Sequence, residues 1–333
     1  MPSSMKDVAA LAGVSLGTVS NVLNRPDIVS PGTRLRVEEA IRTLKFVPNA
    51  PAQLLRAGRA KVLGLVVPDI ANPFFTEVAR GAEDAALEAG YVVIVGNSDE
   101  QADREDRYLA VLEAQRVGGI LITPARRSLK PFQRLLDAGV AVTLLDNSTA
   151  ATDVCSASVD DVEGGVLAGE HILSLGHRRI VWLAGPPDIP QVADREEGLF
   201  RALGQAGVEA TSIRANQMTT ASGDAAMAAA LESGIELTAL LCANDLLALG
   251  AIRALNRAGR RVPQDVSVIG YDDIDFASSS AVPLTSIRQP KYELGYAAAK
   301  LVIGECENPA THAHQRVQFR PQLIVRESTA PAA

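Results

Sequence analysis

Ten carboxylates and amides stand just after short apolar runs: Asp69, Asn72, Asn97, Asp99, Asp146, Asn147, Asn244, Asp245, Asp272 and Asp273. Acid and amide side chains offer directional acceptors and donors, so a convergent set of them could hold a polar small molecule by hydrogen bonds. A lone aspartate in such a place is ordinarily a helix cap. Repetition along the chain is what points to a ligand-facing rim.

Other chemistries find weaker support. Val162-Glu163-Gly164-Gly165 lacks the spacing of a dinucleotide fingerprint, and no GxxxxGK phosphate loop occurs. Cys155, Cys242 and Cys306 are far apart, without CxxC or Cys/His partner spacing, so neither a disulfide framework nor a zinc site is expected. His312-Ala313-His314, in a Pro/Ala-rich stretch read as an exposed loop, is the nearest approach to a metal pair. No catalytic residue, no metal and no cofactor are therefore expected, and an enzyme on an α/β scaffold is disfavoured.

The elements that must position the polar set are short apolar runs at 62–67, 91–95, 119–122, 141–145, 180–183, 239–242 and 266–269. Helical patterns lie between them, at 76–88, 104–115, 129–137, 164–175, 195–205, 223–231 and 246–258. Repeated strand and helix units predict parallel sheets covered on both faces. The units before and after about Asp160 resemble each other, which predicts an α/β body of two lobes with a cleft between them. Ligands of open parallel sheets bind at strand carboxyl ends, where the ten polar residues fall.

Ahead of this body the pattern is all-helical. Ser4 and Asp7 predict a capped helix over 5–12 with Val8, Leu11 and Ala12 on one face, ended by Gly13. Ser15 caps a second helix over 16–24 with Val19, Val22 and Leu23 buried, and the tight turn between the two makes a helix-turn-helix candidate. Ser30 and Pro31 start a third, carrying Leu35, Val37, Ala40, Ile41 and Leu44 at helical spacing. Residues 1–60 hold eight Lys/Arg against four Asp/Glu, a charge of +4; the whole chain carries −7, which leaves −11 for the rest. A basic head on an acidic body fits a module for a polyanion attached to a domain with another task.

The chain of 333 residues has room for two full domains and such an appendage. Its first residues lack a basic stretch followed by an apolar run, and no segment approaches about 18 uninterrupted apolar residues. Export and membrane spanning are thus disfavoured, and a reducing cytoplasm is the expected location.

Met5-Lys6-Asp7-Val8-Ala9, Ala12-Gly13-Val14-Ser15, Thr18-Val19-Ser20, Val22-Leu23-Asn24 and Phe46-Val47-Pro48-Asn49 together resemble the DNA-binding head of the Lac repressor and galactose repressor family. The resemblance continues through Gly64-Leu65-Val66-Val67-Pro68, Asn72-Pro73-Phe74-Phe75, Gly270-Tyr271-Asp272-Asp273 and Pro283-Leu284-Thr285. It implies a helix-turn-helix domain over 1–47, a hinge helix and linker over 48–60, and a two-lobed, periplasmic-binding-protein-like body. The first lobe would take 61–159 and 288–318, the second 160–287 and 319–330.

In such heads the second helix enters the major groove. Position by position, Leu16, Gly17 and Asn21 would then read bases, while Ser15, Thr18, Ser20, Asn24 and Arg34 would contact the backbone. Leu55 falls where the family wedges a leucine into the minor groove. For the body, the resemblance places Phe74 and Phe75 on the pocket floor and Asp146 on a polar wall. Arg195 would grip effector hydroxyls or carboxylates, with Asn244 and Asp272 as a hydroxyl-binding pair. Met218 and Lys291 stand where relatives place aromatics, and Lys291 beside Arg195 would favour a phosphorylated or carboxylated sugar. The function implied is a homodimeric transcriptional regulator, by default a repressor, that binds near-palindromic operator DNA under control of a sugar or sugar derivative. Inducer and corepressor remain equally open. The rival reading is a solute-binding receptor of the periplasmic sugar type with no DNA role.

Overall fold

Helix caps build the first of two compact units, Met1–Ala60. The Ser4 N–H donates to Asp7 Oδ2 at 2.7 Å and the Asp7 N–H to Ser4 Oγ at 3.3 Å, closing a capping box on α1 (Met5–Ala12). Gly13, at φ +63°, ends that helix in a conformation that strains any side chain. Ser15 Oγ accepts the Thr18 N–H at 3.1 Å and so caps α2 (Leu16–Asn24). α3 (Pro31–Leu44) begins on Pro31 as expected, but the Ser30 hydroxyl turns to Thr33 Oγ1 at 3.0 Å and makes no backbone cap. Val8, Ala9, Ala12, Val19, Val22, Val37, Ala40 and Phe46 form the core. Leu11 and Leu35 were expected inside yet are 55% and 62% exposed. An eight-residue helix buries one narrow face, and here it runs through Val8, Ala9 and Ala12.

The computed structural model describes residues 3–46, 60–126, 130–147 and 153–332. The expected hinge helix, Leu55 included, lies outside them.

The second unit, Lys61–Ala333, holds two six-stranded sheets. The first is formed by β1 (Ala60–Val67), β2 (Val92–Asn97), β3 (Val117–Ile122), β4 (Ala141–Leu145), β5 (Cys155–Val159) and β11 (Arg316–Phe319), in the order β11-β5-β4-β3-β1-β2. The second comprises β6 (Ile180–Ala184), β7 (Ala210–Arg214), β8 (Ala239–Cys242), β9 (Ser267–Asp272), β10 (Thr285–Arg288) and β12 (Gln322–Ile324), in the order β12-β10-β9-β8-β6-β7. Strand for strand the two orders are the same, so the likeness of the two halves of the sequence is a likeness of topology. β12 runs antiparallel to β10, whereas β11 runs parallel to β5. The chain crosses between the sheets three times: after β5, after β10 and after β11.

The connecting helices are α4 (Pro73–Glu88), α5 (Ala102–Ala114), α6 (Lys130–Asp137), α7 (Asp161–Ser174), α8 (Pro190–Gln205), α9 (Thr220–Glu232), α10 (Asp245–Arg257), α11 (Asp275–Ser279) and α12 (Lys291–Glu307). α7 and α8 pack backbone against backbone. A Cβ on Gly165 would overlap the Arg195 carbonyl, and one on Gly198 would overlap the Val162 carbonyl. These glycines therefore fix how closely the helix bearing Arg195 approaches the sheet crossing.

In each sheet the strand order reverses direction beside the first strand of the lobe, between β1 and β3 and between β6 and β8. Loops diverge at such points and leave a crevice. Ile274, from the second lobe, packs into the first lobe's core with Leu246 and Leu249 beside it, so the two crevices face each other across one cleft.

Candidate functional site: a cleft and a groove-reading helix

The cleft encloses about 910 Å³, its open mouth included. That volume suits a small ligand. Its wall comes from strand ends of both lobes: Asp69 and Asn72 after β1, Thr123 after β3, Asp146 after β4, Asp188 and Gln191 after β6, Asn244 after β8 and Asp272 at the end of β9. Seven of the eight expected pocket residues line it, namely Phe74, Phe75, Asp146, Arg195, Met218, Asn244 and Asp272. Phe74 and Phe75 meet edge to face at 4.9 Å and are nearly buried, a rigid apolar patch in the rim of acids.

Lys291 is a correction. It opens α12, and its ammonium donates to the Asp273 carbonyl at 2.7 Å outside the lining. An ammonium held there does not line the ligand wall, so it offers no direct ion pair to a ligand.

Arg195 is the centre of the cleft's electrostatics. It is 5% exposed, its Nε donates to Asp161 Oδ1 at 2.8 Å and its Nη1 to the Ala243 carbonyl at 2.7 Å, and its guanidinium lies 3.8 Å from the centre of the Tyr271 ring. Burial opposes its charge, but Asp161, Tyr271 and Asp272 outweigh burial and hold it firmly protonated. The cation is thus committed to the protein.

Asp146 and Asp272 occupy matching places in the two lobes, at the ends of β4 and β9, and both have positive φ, +52° and +106°. Burial pushes Asp146 up to about 8, with repulsion from Asp161 adding to it. Asp272 rises to about 6 through burial, against the pull of Arg195. Glu100, also on the wall, rises to about 7 through burial and the nearby Asp69 and Asp99. Among the described residues of the wall, one cation cannot keep this many carboxyls ionised, and burial holds protons on Asp146 and Glu100 above the usual carboxylate range.

Each lobe also reaches across. Gln191 of α8 donates to both the carbonyl and Oδ2 of Asp146, and Asn72, which caps α4, hydrogen bonds the Asp272 carboxyl. Gln289 donates to Asp272 Oδ1 at 2.8 Å. Asp146 Oδ1 has no hydrogen-bond partner among the described residues. Asn244 is more occupied than the resemblance implied: Oδ1 caps α10 by accepting the Leu247 N–H at 2.9 Å, and Nδ2 donates to the Met218 carbonyl at 3.0 Å.

Gln191, Gln289 and Glu100 were missed in the sequence. A signal existed for Gln191 alone: it precedes Arg195 by four residues, one helical turn, and so shares its face.

On α2, Leu16 is 43% exposed and Gly17 and Asn21 are exposed beside it. Ser15 and Thr18 flank them, their hydroxyls 2.9 Å apart, and Arg34 on α3 is exposed and paired with Glu38 at 2.7 Å. Ser20 departs from its expected backbone-contact role: it is buried, on the inner side of the helix with Val19 and Val22. Asn24 ends α2, and its side chain lies outside the described set.

Sheet pairing brings together residues that no sequence spacing joined: Cys155 Sγ is 3.1 Å from His312 Nε2 and 3.8 Å from His314 Nδ1. β11 aligns beside β5 and brings the residues just before it to the start of β5.

Residues 4–49 match the bacterial regulatory proteins of the lacI family, and residues 170–329 match a periplasmic binding protein-like domain. The ribose operon repressor of Escherichia coli (strain K12) is 35% identical over 333 residues, with 98% of this chain and 99% of that protein covered. The chain belongs to the lacI family. It is accordingly a DNA-binding transcriptional regulator with a two-lobed effector domain, and neither an enzyme nor a receptor without a DNA role. Among solved structures of the family, a Lac repressor dimer bound to operator and the anti-inducer ONPF superposes with a TM-score of 0.85 at 29% identity, covering 99% of this chain and 100% of that one. The transcriptional regulator CelR in complex with cellobiose gives 0.72 at 33% identity, covering 98% and 99%. Among the described residues no helix is long and apolar enough to cross a membrane.

Proposed function

We propose that this regulator is a cytoplasmic repressor that binds a near-palindromic operator as a homodimer, and that an uncharged, polyhydroxylated sugar in the cleft controls it. The relatives that act on a ribose operon or bind cellobiose support the ligand class. The observation that carries the reading is the charge state of the cleft. Arg195 is neutralised from within by Asp161 and Asp272, Lys291 lies outside, and Asp69, Glu100, Asp146, Asp188 and Asp272 line the wall. Among the described residues of the cleft, a phosphate or carboxylate would meet acids with no cation to spare. A neutral sugar can exchange hydrogen bonds with the polar wall while a sugar face lies on Phe74 and Phe75.

In the head, Leu16, Gly17 and Asn21 are assigned to the bases and Ser15, Thr18, Asn24 and Arg34 to the phosphates; Leu55 keeps its place as the minor-groove wedge. Leu16 offers only apolar contact, suited to a thymine methyl. Gly17 lets the helix backbone come close to the base edges. Ligand and operator affinities are linked reciprocally through the closure of the lobes.

Calorimetric titration of the full chain with neutral mono- and disaccharides, sugar phosphates and sugar acids tests the ligand class. Binding confined to neutral sugars, with a matching change in operator affinity in a mobility-shift assay, is the expected result. Binding confined to the anionic set would overturn it.

A further inference from the structure

Three segments distant in sequence converge at the start of β5, away from the cleft. They are the first residue of β5, Cys155; the last turn of α12, with Glu305; and the extended chain entering β11, with His312 and His314. One donor atom from each side chain, the thiol sulfur, a carboxylate oxygen and two ring nitrogens, lies within 4.8 Å of all the others. Cys155 Sγ is 3.1 Å from His312 Nε2 and 3.8 Å from His314 Nδ1, and His314 Nδ1 is 3.9 Å from a Glu305 oxygen. Around a tetrahedral ion with bonds of about 2.0 to 2.3 Å, neighbouring ligand atoms stand about 3.3 to 3.6 Å apart. The observed spacings bracket that range.

We propose that Cys155, Glu305, His312 and His314 form a tetrahedral binding site for a divalent cation of the zinc class.

The donor set chooses the metal. A sulfur and two imidazole nitrogens suit zinc and its thiophilic neighbours, whereas magnesium and calcium take oxygen ligands. Four protein ligands close the coordination sphere, which makes the site structural and leaves no open position for chemistry. Burial is graded to match: Cys155 is fully buried, the Glu305 side chain is 16% exposed and that of His314 is 31% exposed. The sulfur therefore sits at the inner end, and the ion enters from the histidine side. The Gln315 backbone N–H, 3.3 Å from the same sulfur, is placed to stabilise a thiolate as an outer-shell donor. His312 and His314 are two residues apart on non-helical chain, the spacing at which side chains share one side.

A thiol must give up its proton to ligate the ion. The ion would then clamp α12 and the entry of β11 to β5, whose other end runs into Asp161, the partner of Arg195.

The test uses the full chain, stripped with a chelator and kept under a non-thiol reductant, and Co²⁺ as the probe. The expected result is one equivalent of tetrahedral Co²⁺ with a thiolate-to-cobalt charge-transfer band, release of about one proton per ion near neutral pH, and displacement by Zn²⁺ with a raised melting temperature. His314→Ala, an exposed position that leaves the core intact, should weaken binding at least about tenfold. Cys155→Ser should remove the charge-transfer band. Octahedral Co²⁺ alone, or unchanged affinity in the His312→Ala/His314→Ala double variant with its metal-free melting temperature preserved, overturns the site.

Discussion

On α2 the residues assigned to base reading stand exposed, and among the described residues no side-chain hydrogen bond occupies Leu16, Gly17 or Asn21; in the cleft the same kind of polar recognition is buried and already wired. Arg195 is bound to Asp161, Asp272 and a carbonyl, Asp272 to Gln289 and Asn72, and Asp146 to Gln191. A groove-reading helix meets its partner in water and exchanges hydration for contact. A cleft between closing lobes must satisfy its charges before any ligand arrives, because an unpaired charge in low dielectric is penalised heavily. The difference teaches that mutations in the cleft act first on stability, whereas mutations on α2 act first on binding.

The sharpest way to break this comparison is Arg195→Ala. Removing one partner from a buried charge network leaves Asp161 and Asp272 uncompensated and should destabilise the body by about 3–5 kcal/mol. Denaturant unfolding followed by tryptophan emission reads it, since Trp182 is buried in the second lobe's core. A loss below about 1 kcal/mol would show that the carboxyls simply take up protons, and that Arg195 is a ligand-gripping group as free as those on α2.

Asp146→Asn should have the next largest effect, and it is an effect of pH. In the unfolded chain an aspartate loses its proton near 3.9, whereas in the folded protein burial holds it on Asp146 up to about 8. Between those values the unfolded state binds fewer protons than the folded one, so stability falls as pH rises. Asp272, held to about 6, and Glu100, held to about 7, add slopes of the same sign over narrower windows. Asparagine keeps the shape of the protonated acid and carries no titration. The variant should show a flatter fall in melting temperature from pH 5 to about pH 8 than the parent protein. Parallel slopes in the two proteins would mean that Asp146 is ionised in the cleft.

The contrast also explains what could be read from the sequence. Caps and helix ends are local, so Ser4, Asp7, Gly13 and Ser15 announced the head, and the apolar runs announced seven strands of the body. β5 escaped because it is only five residues long and carries Ser156 and Ser158 between its apolar positions, yet all five residues are buried. α12 escaped because it buries Leu294, Ala298, Ala299, Leu301, Val302 and Ile303, a face too broad to leave a stripe. The cluster of Cys155 with His312 is closed by strand pairing over 157 residues, beyond the reach of any spacing rule. Within the cleft the acids were legible as strand-end residues, but their proton states and the diversion of Lys291 depend on neighbours that only the fold supplies.

The gentlest probe is on the other side of the comparison. A Cβ on Gly17 would meet nothing closer than Ser15 Oγ at 3.6 Å, an ordinary contact, so α2 has room for alanine. Glycine lies inside a helix there, and alanine at such a site stabilises by up to about 1 kcal/mol. If the bare backbone at this position is what lets α2 approach the bases, Gly17→Ala should give a head that melts higher and an operator complex that is weaker. Thermal melting and a mobility-shift titration on the same preparation separate the two. A variant that melts higher and binds operator with undiminished affinity would remove Gly17 from the reading face and move the close approach to Leu16 and Asn21.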